Sequence, residues 1–162
     1  MEVFLRFRLD TKMTYSANAV ANAFISLAKR EGKALTNMQV QKLVYISQGF
    51  SLALLGRSLF KDDAHAWQWG PVIPKLYKAL QKYGNKEVTE LIENVSDPVP
   101  DNSDECALIK EVWGAYGEFS GAKLSALTHQ EGTPWSLTWE QNRFGVIPLD
   151  VITEHYKDLV SA

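Results

Sequence analysis

Few residues of this 162-residue sequence stand where they could do covalent chemistry. His129 and Glu131 lie two positions apart, and an imidazole and a carboxylate so placed could share a proton in acid–base catalysis. That spacing also arises readily by chance, and no nucleophile or phosphate motif accompanies it. The chain has no GxSxG, no P-loop, no GxGxxG after a strand and no HExxH. Cys106, the single cysteine, follows Asp104 and Glu105, whose charges disfavour a thiolate, so an inert thiol is expected. The histidines His65, His129 and His155 are scattered, and no cysteine pair joins them. Neither a metal site nor a cofactor is expected, and the chain is not expected to be an enzyme. A lone cysteine forbids an intrachain disulfide and fits a reducing compartment.

Two other residue sets suit non-covalent recognition. Lys75, Lys78, Lys82 and Lys86 recur at helical spacing and could hold phosphates. The plainer reading is the solvated side of an amphipathic helix, and the net charge of −2 argues against a nucleic-acid partner. Trp67, Trp69, Trp113, Trp135 and Trp139 are many tryptophans for this length. Trp67 and Trp69 abut Gly70-Pro71, and Trp135 follows Thr133-Pro134. A loop tryptophan either seals a small core or anchors an interface, and spacing alone favours the seal.

The elements that must position these residues are mostly helices. Ser16 is a plausible N-cap, followed by Ala17, Val20, Ala21, Phe24, Leu27 and Ala28 at helical spacing, with Gly32 as the stop. Thr36 and Gln39 match a capping box for a second helix, which runs to Gly56 and is apolar around much of its circumference, hence central. A connector spans 57–70, with 64–69 extended. A third helix is expected from Pro71 or Pro74 to Tyr83-Gly84, with Val72, Leu76, Ala79 and Tyr83 along one side. A short helix is expected over 86–94. Glu93 to Glu105, with Pro98, Pro100 and five acidic residues, reads as a surface loop. Further helices are expected over 104–116, 120–129, 133–141 and 148–159, with 144–147 extended. The fold class is therefore mainly α, a single compact multi-helix domain with a short two-stranded β-ribbon around 64–68 and 144–147.

Hydrophobic residues make up 46% and charged residues 22%, a globular balance able to fill a core. The most apolar stretch, Asn37 to Leu55, carries Lys42 as its only charge but also Gln39, Gln41, Gln48, Ser47 and Ser51. Burying those groups in lipid is costly, so a core helix is expected and no membrane partner. MEVFLRFRLD lacks an apolar h-region and a small-residue cleavage site, so a cytoplasmic location is expected. Val3 to Leu9 alternate in the manner of a strand, with Arg6 and Arg8 on one side, or form a loose extension. The division is residues 1–12 as an N-terminal extension and 13–162 as the helical domain.

Two segments carry a family resemblance. The first is Val40-Gln41-Lys42-Leu43-Val44-Tyr45, then Gln48-Gly49-Phe50 and Leu54 to Phe60. It continues into Ala66-Trp67-Gln68-Trp69-Gly70-Pro71-Val72-Ile73-Pro74, then Leu76-Tyr77 and Lys82-Tyr83-Gly84. The second is Leu127-Thr128-His129-Gln130-Glu131 with Pro134-Trp135. Together they resemble the Panacea domain, the SocA-like or phage-associated GepA-like family, from about Met13 to the last helix. Val40 stands where leucine is usual, and residues 1–12 are additional. The resemblance implies an antitoxin that neutralises a cognate protein toxin by direct contact, the toxin being encoded by an adjacent gene. In some such proteins the domain hands the toxin to a protease. Trp67, Trp69, Gly70, Pro71, Tyr77, His129 and Trp135 are the candidate partner-binding residues. Each also has a plain structural use, Gly70-Pro71 as a turn, Tyr77 as a rim of the core and His129 at a helix end.

Overall fold

The computed structural model describes residues 14–162. The strand-like or loose segment expected over 1–12, and the start at Met13, lie outside the described residues.

The helix boundaries follow the capping chemistry. Ser16 Oγ accepts from Ala19 N and opens α1, Ala17–Arg30, whose face Val20, Ala21, Phe24 and Ala28 is buried. Thr36 and Gln39 form the capping box reciprocally, Gln39 N donating to Thr36 Oγ1 and Thr36 N to Gln39 Oε1. They start α2, Asn37–Phe50, which continues as a π turn over Ser51–Leu55 and stops at Gly56 with φ 71°. Ser103, Ser120 and Thr133 cap α4 (Asp104–Tyr116), α5 (Gly121–Thr128) and α6 (Pro134–Gln141), and α7 is Leu149–Ser161.

α2 is the axis of the molecule. Every residue from Val40 to Gly49 is buried, and the helix packs against α1, α4, α5 and α7. One hydrophobic core runs from Tyr15, just before α1, to Tyr156 on the last helix. Several of the polar side chains inside it bond to the backbone, among them Ser47, Gln48 and Ser51. Gln48 Oε1 accepts from Leu59 N at 2.6 Å while its Nε2 donates to Phe60 O at 3.1 Å, so the segment after Gly56 is bound back onto α2. Gly49 lets α7 approach. A Cβ there would lie 2.3 Å from Tyr156 Cδ2, inside contact distance. Gly49→Ala is expected to lower stability by about 1–3 kcal/mol despite alanine's better helix propensity, because overpacking outweighs it. Urea denaturation of the variant checks this, and a variant as stable as the parent would contradict the packing.

The β structure is small. β2 (His65–Trp67) and β3 (Gly70–Val72) form an antiparallel hairpin with Trp67 opposite Gly70. The segment 144–147 lies along β2 as expected, through Phe144 N to Ala66 O, Ala66 N to Gly145 O and Ile147 N to Ala64 O. The hairpin partner of β2 is nevertheless β3, so Pro71 belongs to a strand. The third helix, α3, starts at Pro74, ends at Leu80 and tightens into a 3₁₀ turn over Gln81–Tyr83. The short helix expected over 86–94 is absent. Glu87–Val88 form β4, paired antiparallel with β1, Leu35–Thr36. Val88 enters the core through that pairing, which outweighs the local helical tendency. Among the described residues no helix is long and apolar enough to cross a membrane.

Candidate partner-binding site

The site is built around Lys42, the one charged residue of the central helix. Its side chain is 2% exposed, and Nζ donates to Pro71 O at 2.8 Å. The β2–β3 hairpin folds over this amine. Gly70, with φ 116°, passes so close that a Cβ would sit 3.2 Å from Lys42 Nζ. Both the backbone conformation and the approach therefore call for glycine. The residue preceding Lys42 adds to this, with Gln41 Oε1 accepting from Ile73 N at 3.0 Å and Gln41 Nε2 donating to Asn37 Oδ1 at 3.2 Å. Neighbouring polar residues of α2 thus fasten the outgoing strand.

Two more bonds hold the hairpin from the other side. Ser125 Oγ on α5 donates to Trp69 O at 2.6 Å, and Trp135 Nε1 on α6 donates to Trp67 O at 2.6 Å. Trp135 is buried, stacked on Trp139 with centroids 5.5 Å apart, and meets the His129 ring edge-on at 5.3 Å. The aromatic series continues from Trp139 to Phe144 at 5.3 Å, with the Arg143 guanidinium 5.0 Å from the Trp139 ring centre. Trp67 is half-buried and edge-on to Tyr77 at 5.2 Å.

The result is a fixed hairpin with an exposed tip. Trp69 is 63% exposed, and Met38 and Phe144 are also exposed beside it. These three, with Trp67, Tyr77 and Lys42, line a groove of about 630 Å³ between the hairpin, the start of α2 and the end of α3. Burial pushes the Lys42 amine down to about 7.

The seven residues singled out in the sequence gather around this hairpin in different roles. Trp69 alone is exposed. Gly70, Pro71 and Trp135 are buried, and Trp67, Tyr77 and His129 are half-buried. His129 closes α5, its Nδ1 donating to Ser125 O. Glu131 is exposed and shares no hydrogen bond with His129 among the described residues, so the structure does not bring that pair together. Cys106 is buried in the first turn of α4. The lysine set is not one helical stripe. Lys75 and Lys78 are exposed on α3, Lys82 is in the 3₁₀ turn and Lys86 lies beyond it, because the α-helix ends at Leu80. The sequence pattern does not mark Lys42, Asn37, Met38, Ser125 or Phe144 as site residues. A lysine alone in an otherwise uncharged helix was the visible signal for the first of them.

Fold and site together define a mainly helical domain that presents a clamped aromatic hairpin above a groove. The chain belongs to the antitoxin SocA-like, Panacea domain family, whose model matches residues 40–136 and so spans all seven hairpin-associated residues. It is similar to Antitoxin SocA of Caulobacter vibrioides (strain NA1000 / CB15N), 29% identical over 130 residues that cover 75% of this chain and 69% of that protein. No solved structure matches. The family supports an antitoxin role and points to a non-catalytic one.

Proposed function

We propose that this protein neutralises a cognate protein toxin by binding it directly in the cytoplasm, with the hairpin face as the contact surface and the toxin encoded by an adjacent gene. The observation that carries this reading is Trp69, a largely exposed indole on a backbone whose carbonyls at 67 and 69 are both held by side chains of other helices. Tryptophan dominates binding energy at interfaces, and an anchor already fixed in place loses little freedom on association. Met38 and Phe144 extend the apolar surface beside it. Trp67 and Tyr77 support the tip, while Gly70, Pro71, His129 and Trp135 shape and hold it. Neutralisation of this kind needs no cofactor and no bond-breaking step.

The test is genetic and biochemical together. The neighbouring reading frame, expressed alone, is expected to arrest bacterial growth. Co-expression with this protein restores growth, and the two co-purify as a complex. Rescue with disappearance of the neighbour and no complex would replace sequestration by delivery to a protease. A harmless neighbour that does not co-purify would overturn the reading.

A further inference from the structure

Lys42 is more than the fold requires. Among the residues lining the groove, it and Tyr77 are the only ionisable ones. Lys42 Nζ makes one hydrogen bond among the described residues, to Pro71 O, which leaves two of its three N–H donors over in the charged form. None of the ion pairs among those residues includes it. A buried cation without a counter-charge destabilises a fold, and a methionine would fill the same space without that penalty. Gln41 already ties the hairpin to α2 through Ile73 N. Lys42 therefore has spare capacity for one negative group entering the groove.

The groove's chemistry narrows what that group belongs to. Its aromatic walls, Trp67, Trp69, Tyr77 and Phe144, suit apolar neighbours of the anion, and the exposed Met38, Trp69 and Phe144 continue that surface outward, toward a macromolecule. The volume of about 630 Å³ lies within the range of about 300–1,000 Å³ that accepts a drug-sized ligand, or a segment of a few residues. One lysine balances one carboxylate. It is too little cation for a run of phosphates, which nucleic-acid binders meet with several lysines and arginines.

We infer that the groove receives an acidic side chain of the toxin, flanked by apolar residues, whose carboxylate docks on the Lys42 ammonium. This rests on the antitoxin reading and gives that reading its recognition chemistry. The carboxylate supplies the missing counter-charge, and the aromatic walls exclude water from the pair, where a charge-assisted bond is strongest.

The experiment is a double-mutant cycle with the purified toxin of the adjacent gene as the probe. Lys42→Met is expected to weaken toxin binding at least tenfold. Exchange of each toxin Asp or Glu for its amide is expected to find one position with a similar loss against the parent chain and no further loss against Lys42→Met. A Kd indifferent to Lys42→Met, or losses that simply add, would overturn the inference while leaving the antitoxin role intact. A parent chain that binds no toxin would overturn both. A second measurement uses the unaltered protein. The Lys42 ε-CH₂ resonance, followed by NMR against pH, is expected to show its titration midpoint rise by at least one unit in the complex. Tyr77 is the other ionisable group facing the groove, and Thr128 Oγ1 and Pro71 O are polar atoms packed on the same side. An unmoved midpoint would contradict the docking.

Discussion

Trp135→Ala is expected to lower the stability of this protein by about 3–5 kcal/mol, the range for removing a large aromatic from a core. Three losses add up at that position. The indole is 9% exposed, so its deletion leaves a cavity between α6 and the hairpin. The stack on Trp139 and the edge contact with His129 disappear. Trp67 O loses the hydrogen bond from Nε1. Trp135→Phe separates these contributions. It keeps much of the packing and removes the donor, so a smaller loss of about 1–3 kcal/mol is expected. Urea denaturation of the two variants checks both. An alanine variant within 1 kcal/mol of the parent would show that the hairpin does not depend on α6 for its support. Toxin binding by Trp135→Ala is expected to weaken as well, through the loosened hairpin rather than through a lost contact.

Lys42→Met is expected to act in the opposite direction on stability, and its effect depends on pH. An unfolded lysine titrates near 10.4, whereas burial brings the folded side chain down to about 7. Between these values the unfolded state binds more protons than the folded one. The contribution of Lys42 to stability therefore rises with pH from about 7 to about 10. Below 7 both states carry the proton and the penalty of burying the charge is felt in full. Above about 11 both are neutral and the penalty is gone. Methionine removes the penalty, so the variant is expected to exceed the parent by on the order of 1–4 kcal/mol at pH 6. At about pH 11 the advantage vanishes and a loss of about 1 kcal/mol is expected instead, since Pro71 O is left without its donor. Denaturation at the two pH values reads this directly. An equal difference at both would mean that Lys42 is not a buried titrating group. A binding loss on the same substitution would make Lys42 a residue at which function is kept at the expense of stability.

Local chemistry made most of the helices legible. Ser16, the Thr36–Gln39 box and Ser120 marked their helix starts because a cap is an interaction between residues two or three apart. The central place of the second helix followed from its apolar circumference. β4 was not legible. Its partner Leu35–Thr36 lies about fifty residues upstream, and a two-residue pairing leaves no pattern in either strand. The same holds for the hairpin. Trp67, Trp69, Gly70 and Pro71 were visible as a motif, but the carbonyls at 67 and 69 find their donors on Trp135 and Ser125, more than fifty residues away. Spacing could not divide the tryptophans between core and surface. Three-dimensional packing does so, burying Trp113 and Trp135, half-burying Trp67 and Trp139 and leaving Trp69 exposed. Lys42 shows the same limit, because a sequence displays a charge in an apolar helix but not whether the charge reaches solvent.

The division between a supporting and a contacting tryptophan leads to the most direct test of neutralisation by contact. Calorimetric titration of the purified toxin of the adjacent gene into the parent chain and into Trp69→Ala compares the two Kd values, with thermal unfolding of the variant as the control. Since Trp69 is 63% exposed, the midpoint of unfolding is expected to stay close to that of the parent. Binding is expected to weaken by about 2 kcal/mol or more, roughly thirtyfold, as for an interfacial anchor. A Trp69→Ala chain that unfolds like the parent and binds the toxin with the same Kd would contradict the assignment of the hairpin as the toxin-binding surface.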